Sequence, residues 1–105
     1  MNNDNEEKLG AVKISDDVIA ICVLDSAKDV PGFRSFVRKG IKISQLEDGI
    51  LIDLYILVDF GFKIPEVAWN LQNKIKKDIE DSFELIIKSI NIHVQGVHFL
   101  EEEEI

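Results

Sequence analysis

The stretch from Asp53 to Leu71 constrains the fold most strongly, because its hydrophobic period changes in the middle. Up to Phe60 the apolar residues alternate with others or run continuously, which is typical of a β-strand. After Pro65 they recur every three or four residues, which is typical of an amphipathic helix. Only the short segment Gly61–Pro65 connects the two patterns. The stretch therefore predicts a strand that turns tightly into a helix.

Alternating apolar residues predict further strands on both sides of this corner. Ile41–Leu46 and Ile50–Phe60 flank an Asp-Gly dipeptide, which is a strong signal for a hairpin. Ile87–Phe99 is the last predicted strand, and a β-bulge at Gly96 would bring its two halves into phase. Leu9–Ile14 is predicted to be a short first strand.

Two helices are predicted between these strands. Ser15 is a good N-cap for the first helix, which we expect to run to about Asp29. Pro65 suits the first position of the second helix. The segment Phe33–Lys39 fits either a short helical turn or a loop. The expected buried positions are Ile19, Cys22, Val23, Ala27 and Val30 in the first helix, and Ile64, Val67, Ala68, Leu71, Ile75, Ile79 and Phe83 in the second.

The order β-α-β-β-α-β predicts an α+β fold, a two-layer sandwich in which two helices pack on one face of a four-stranded sheet. A chain of 105 residues is long enough for one domain with one core. We expect the domain to span residues 9–100, between a disordered acidic arm at 1–8 and an acidic tail at 101–105.

The acidic charge lies mostly outside the predicted domain. Of the net charge of −8, residues 1–8 contribute −2 and Glu101–Glu104 contribute −4, which leaves −2 for the rest. Arg34, Arg38, Lys39 and Lys42 form the only basic cluster, which we interpret as a solvated loop. This distribution argues against nucleic acid or anionic lipid as a direct partner.

Cysteine content and apolar run lengths indicate the compartment. Cys22 is the only cysteine, so an internal disulfide cannot form and a reducing cytoplasm fits best. The longest apolar runs, Val18–Leu24 and Ile50–Phe60, fall well short of the roughly 20 residues that span a bilayer. We therefore predict a cytoplasmic chain that does not insert into the membrane directly.

The polar residues give no pattern of catalysis or metal binding. His93 and His98 fall on opposite strand faces unless a bulge intervenes, and no third metal ligand is evident. Asp53 and Asp59 share a face but lie about 20 Å apart along a strand. Paired catalytic carboxylates lie about 5–9.5 Å apart. Cys22 lies within an apolar helical stripe and is interpreted as an unreactive thiol. We therefore expect no enzyme, cofactor or metal site.

Trp69 is the residue that most strongly indicates a binding surface. At about 100° per residue it falls roughly 160° from Leu71, so it should point away from the core. It is either an interface anchor or a flank residue covered by Phe33–Lys39. Val18 and Ile21 fall outside the core stripe, and the sheet has a mixed face. The predicted contact surface comprises Trp69, Val18, Ile21, Tyr55, His93 and Gln95.

Six segments carry a family resemblance, in this order: VKISDDVIA, DVPG, GIKI, DGILIDLYILVDFG, KIPEVAWNLQNKIK and INIHVQGVHF. Together they cover roughly residues 10–100 and closely resemble the alkaline shock protein family, the envelope stress response proteins of Gram-positive bacteria and related Firmicutes. The resemblance implies abundant, non-enzymatic cytoplasmic proteins that self-associate. It also implies that some members are gathered at the membrane by an integral anchor protein, and that one branch is linked to acetyl-CoA carboxylase in fatty-acid synthesis.

These observations predict a protein–protein interaction module in cell-envelope homeostasis, forming a homo-oligomer and reaching the membrane through a partner. An alternative is a regulator that binds a biosynthetic enzyme such as acetyl-CoA carboxylase. Nucleic-acid binding is a third class, since similar element orders occur in nucleic-acid modules. That class needs a basic, aromatic sheet face, whereas this face carries Asp53 and Asp59.

Overall fold

Two helices and three strands make up residues 10–99, the part of the chain that the computed structural model describes. In chain order they are α1 (Asp16–Ala27), β1 (Phe33–Leu46), β2 (Gly49–Asp59), α2 (Ile64–Phe83) and β3 (Ile87–His98). The predicted arm at 1–8, the tail at 101–105 and the domain ends Leu9 and Leu100 lie outside the described residues.

The sheet has the order β1-β2-β3, with β2 in the centre. β1 and β2 form the predicted antiparallel hairpin, closed by a pair between Leu46 and Gly49. β3 pairs with β2 in parallel, and α2 supplies the crossover that parallel neighbours require. β2 alternates strictly, with its even-numbered residues buried and its odd-numbered residues half-buried. One sheet face therefore carries the helices, while the other, which we call the open face, does not.

Each helix buries one apolar stripe against the sheet. The Ser15 side chain caps α1 by accepting a hydrogen bond from the Val18 N–H at 3.3 Å. α2 has proline in its first turn and is followed by the C-cap Glu84, whose φ of 57° is left-handed. The fully buried positions of the core are Ile19, Val23, Ala27, Ile52, Leu54, Ile56, Leu71, Ile75 and Ile79.

The α+β class with both helices on one sheet face is confirmed, but the prediction of four strands is wrong. Residues 10–14 form no strand. The central strand is already paired on both sides, and the Ile14 carbonyl accepts a hydrogen bond from the Gln45 side chain at 3.0 Å. Val12 is 90% exposed, so its apolar side chain gains no burial that would hold this segment on a sheet edge.

The segment Phe33–Lys39 is neither a helical turn nor a loop, because it forms the first half of β1. Ser35 and Phe36 pair with β2, but the next partner on β1 is Ile41. The chain between them leaves the ladder and includes Lys39 at a positive φ of 58°. This excursion breaks the alternation of apolar residues, which is why the pattern did not predict one long strand. The basic cluster, interpreted as a loop, therefore lies on an edge strand.

Other boundaries agree more closely with the predictions. α1 ends at Ala27, slightly before the expected Asp29. The bulge near Gly96 is confirmed, because Ile56 pairs with Val94 while the next residue, Leu57, pairs with Gly96. The extra residue is therefore the one before Gly96.

No helix within residues 10–99 is both long and apolar enough to cross a bilayer.

Two aromatic or aliphatic positions expected in the core are exposed. The alternation of Ile50–Phe60 puts Phe60 on the same face as the buried even-numbered residues, but β2 ends one residue earlier and Phe60 is 66% exposed. Ile64 begins α2 at the corner and is 38% exposed. Both lie in the turn between strand and helix, where the period of either element no longer determines which way a side chain points.

Candidate functional site

Trp69 lies on the flank of α2 that faces β3, and it is 66% exposed. The prediction that it points away from the core is confirmed. It is not covered by Phe33–Lys39, because that segment belongs to β1 at the opposite edge of the sheet. A shallow groove between α2 and β3 is lined by Trp69, Gln72, Asn73, Lys76, Ile87, Lys88, Ser89 and Ile90.

Hydrogen bonds hold the helix side of this groove in place. The Asn73 side-chain amide donates to the Trp69 carbonyl at 2.8 Å. On the same helix, the Gln72 amide donates to the Ile90 carbonyl of β3 at 2.9 Å and ties the helix to the strand. Trp69 is therefore a large apolar side chain on a rigid element beside a groove, which is how interface anchors are presented.

The outer surface of α1 is apolar but lies apart from Trp69. Val18 is 42% exposed and Ile21 is 64% exposed, as their position outside the core stripe predicts. Leu24 continues the same surface at 51% exposure. α1 packs beside β1, whereas the Trp69 flank of α2 borders β3. The predicted contact residues on the two helices therefore belong to two separate surfaces.

Tyr55 and His93 meet on the open face of the sheet. They are cross-strand partners on β2 and β3, and their rings stack at 4.2 Å between centroids with an 8° angle between planes. The Lys42 ammonium on β1 lies 5.9 Å from the centre of the Tyr55 ring. Gln95 is exposed on the bulge of β3. The structure thus brings two predicted contact residues together and places a third on the same strand.

Asp53 organises the polar part of the open face. His93 Nε2 lies 3.1 Å from Asp53 Oδ1, and the Asn91 amide donates to the same oxygen at 3.1 Å. The bond with His93, supported by the one from Asn91, holds the pKa of the Asp53 carboxyl below its ordinary value. The open face therefore carries a hydrogen-bonded Asp53–His93–Asn91 cluster next to the Lys42 ammonium.

The bulge at Gln95 places both histidines on the open face. His98 Nδ1 lies 3.6 Å from Asp59 Oδ1, and within the described chain neither of these buried atoms has a hydrogen-bond partner. The two histidine–aspartate pairs lie near the middle and at the carboxyl end of β2, about 20 Å apart. Residues 10–99 contain no group of three or more side chains suited to hold a metal ion.

An aromatic cluster at the carboxyl ends of β2 and β3 was missed by the sequence analysis. The rings of Phe60 and Phe99 lie 4.8 Å apart, and both side chains are more than half exposed. Phe62 follows at 48% exposure. The signal in the sequence was the Phe-Gly-Phe corner itself, since a turn glycine between two aromatic residues leaves them on the surface.

Cys22 is half-buried in α1, next to the contact between the helices. Burial raises the pKa of its thiol, which disfavours the nucleophilic thiolate. The sequence interpretation of an unreactive thiol is consistent with this environment.

Comparison with known proteins shows which family model and which relatives the chain matches. Residues 33–99 match the model of the alkaline shock protein family, which is described as having a cell envelope-related function. YloU of Bacillus subtilis is 34% identical over 115 aligned residues, covering 92% of this chain and 96% of YloU. YqhY of the same organism is 34% identical, covering 91% and 84% respectively. A Streptococcus pyogenes protein, Spy1614, is 31% identical over 90% of this chain and 93% of its own length. All three are described as uncharacterized.

Solved structures show the same fold at low identity. One variant of MamM-CTD superposes with a TM-score of 0.56 and 16% identity, covering 78% of this chain and 98% of that domain. A second variant gives a TM-score of 0.55 at 18% identity, covering 76% and 95%. At such identities the likeness concerns the fold alone.

Proposed function

The chain belongs to the alkaline shock protein family, with its cell envelope-related function, and on this premise we propose that it is a non-enzymatic protein–protein interaction module. The observation that carries the proposal is the exposure of Trp69. Burying a side chain of this size contributes roughly 1.5–3 kcal/mol or more, yet two thirds of it remains in solvent.

The surroundings of Trp69 support a role in binding. Polar and charged side chains rim the groove, and the two lysines that line it are each paired with a carboxylate, Lys76 with Glu80 and Lys88 with Asp48. An apolar anchor inside a charge-balanced polar rim is the usual anatomy of a protein interface. An anionic ligand would instead require unpaired cations at this site.

The family resemblance implies two kinds of protein partner for this module. One is an integral membrane-anchor protein, which would bring a cytoplasmic chain to the envelope. The other is acetyl-CoA carboxylase, whose binding would make the chain a metabolic regulator. We propose the first role, because the family description is envelope-related.

Affinity capture from cells of the source organism tests this function. The full-length chain, its Trp69→Asp variant and a Leu46→Asp control serve as bait, because Leu46 is also an exposed apolar residue, at 46%, but lies at the hairpin. We expect the wild type and the control to retain an envelope protein, and Trp69→Asp to lose about 30-fold or more in affinity.

Two results would contradict the proposal. Equal capture by wild type and Trp69→Asp would exclude Trp69 as the anchor. Reproducible capture of acetyl-CoA carboxylase in place of an envelope protein would replace the scaffold role with the regulatory one.

A further inference from the structure

The two edges of the sheet differ in how strongly their residues discourage pairing with another strand. β1 carries four basic residues and the irregular excursion that ends at Gly40, both of which discourage edge-to-edge association. β3 is 12 residues long and carries one charged residue, Lys88, if its histidines are neutral. Within residues 10–99, β3 has no strand on its outer side. A long edge of this kind is a ready template for a further strand.

The backbone of β3 offers its outer hydrogen-bonding groups in a regular row. The Ile90 carbonyl accepts a hydrogen bond from the Gln72 side chain, so it points away from β2, and a strand added to this edge has to share or displace that side chain. Successive residues of a strand point their backbone groups to opposite edges, so those of Ile92 and Val94 also point outward. The row lies between the two register shifts of β3 and is therefore undistorted.

We propose that β3 pairs in antiparallel fashion with β3 of a second copy of this chain, around a two-fold axis at Ile92. This inference goes beyond the proposed function, because it assigns a second binding surface, the outer edge of β3, and its partner is another copy of this chain. Ile90 then lies opposite the partner's Val94, and Asn91 lies opposite the partner's His93. The two sheets join into one sheet of six strands.

The register follows from centring the pairing on the undistorted row Ile90–Val94, whose middle residue is Ile92. Antiparallel neighbours place directly opposed side chains on the same face, so helix-side residues must meet helix-side residues. With the axis at Ile92, partly or fully buried apolar residues meet beneath the helices, and the polar pair meets on the open face. Lys88 lies opposite the partner's Gly96, so the two lysines do not face each other.

The same register places the partner strand beside the groove of Trp69. Its groove runs along Ile87–Ile90, and in the pairing this stretch lies beside the partner's Val94–Val97. Val97 is itself 38% exposed. Trp69 thus borders the junction on the helix side and stays exposed there, so each copy of the dimer presents this side chain to the protein partner proposed above.

Sedimentation equilibrium of the full chain tests the pairing through charge. The variant Asn91→Lys/His93→Lys puts lysine opposite lysine twice across the axis, on a face where lysine can still pair with Asp53. The control Ser35→Lys/Ser44→Lys adds the same charge to the open face on β1. We expect a dimer for the wild type and the control, and a dissociation constant raised about 100-fold or more for the β3 variant.

A cross-linking variant keeps the proposal testable if the lysines disturb folding. Asn91 and the partner's His93 form a non-hydrogen-bonded pair, whose Cα atoms lie about 4.5 Å apart, within disulfide range. The variant Cys22→Ser/Asn91→Cys/His93→Cys should therefore form an oxidised dimer, and the single cysteine variants should not.

The outcomes separate this proposal from the proposed function. A wild-type chain that is monomeric at every concentration, or a β3 lysine variant that stays dimeric, overturns the strand pairing. If such a monomer still captures an envelope protein through Trp69, the proposed function stands. If the dimer forms but captures no other protein, the pairing stands and the proposed function is wrong.

Discussion

Replacing Ser26 with alanine should loosen the contact between α1 and α2. Ser26 is 2% exposed, and it is the only buried polar side chain among residues 10–99. Its hydroxyl donates to Asp78 Oδ2 on α2 at 2.5 Å. Lys74 donates to the same oxygen at 2.7 Å, so three side chains form one bridge between the helices.

The structure sets the magnitude of this effect. A hydrogen bond to a charged group contributes about 1.5–3 kcal/mol to the free energy of unfolding. The Asp78 side chain is 29% exposed and retains Lys74, so its carboxylate stays solvated when the hydroxyl is removed. This places the loss at the lower end, about 1.5 kcal/mol. For a domain of this size that corresponds to a fall of roughly 6–10 °C in melting temperature.

The loss should also depend on pH. Hydrogen bonds from Lys74 and then Ser26 hold the pKa of Asp78 below its ordinary value. A carboxyl whose pKa is lower in the folded state stabilises the fold above its unfolded pKa, about 3.9, and loses this contribution as pH falls through the folded pKa. The difference between wild type and Ser26→Ala should therefore be complete at neutral pH and shrink below about pH 4.

Urea unfolding at neutral and acidic pH measures the effect, with Ser82→Ala as the control. Ser82 is exposed on α2, and its replacement should change the free energy of unfolding by less than about 0.5 kcal/mol. The reasoning is refuted if Ser26→Ala is as stable as this control at neutral pH. It is also refuted if a double-mutant cycle with Asp78→Asn shows no coupling between the two positions.

Two further predictions concern the sheet. Gly40→Ala should lower the free energy of unfolding by about 2–3 kcal/mol, because the added Cβ would lie 2.6 Å from the Tyr55 carbonyl oxygen. In Gly96→Ala the added Cβ meets only the end of a leucine side chain, at 3.2 Å, so the loss should be less than about 1 kcal/mol. Equal urea midpoints for the two variants would contradict this. His93→Ala should raise the pKa of Asp53 toward its ordinary value, as followed by NMR titration of the carboxyl, and an unchanged pKa would show that His93 does not hold that carboxylate.

The sequence predicts those parts of the fold in which burial imposes a period. Val67, Leu71, Ile75 and Ile79 recur at helical spacing because α2 lies on the sheet, and β2 alternates because one of its faces is covered. The outward direction of Trp69 follows from the same geometry. These features depend on local spacing alone.

The features that were not predicted depend on how strands are arranged. The alternation along residues 10–14 is compatible with a strand, but these residues join neither edge of the sheet, which local spacing does not show. The excursion before Gly40 interrupts the alternation of apolar residues, so the sequence pattern does not show that the first half of β1 belongs to the strand. The stacking of Tyr55 on His93 requires β3 beside β2, and the side-chain pattern of either strand does not encode its neighbour. Sequence therefore places residues on faces, while the strand order determines which of them meet.

The exposure of Trp69 in the complex is the most direct test of the central claim, that this chain acts by binding protein at the flank of α2. Trp69 is the only tryptophan, so its fluorescence reports on one site. Acrylamide quenching is measured for the free chain in dilute solution and again with the captured partner bound. We predict a blue-shifted emission and a marked fall in the quenching constant on binding. An emission maximum and a quenching constant that do not change while the complex forms would contradict the account.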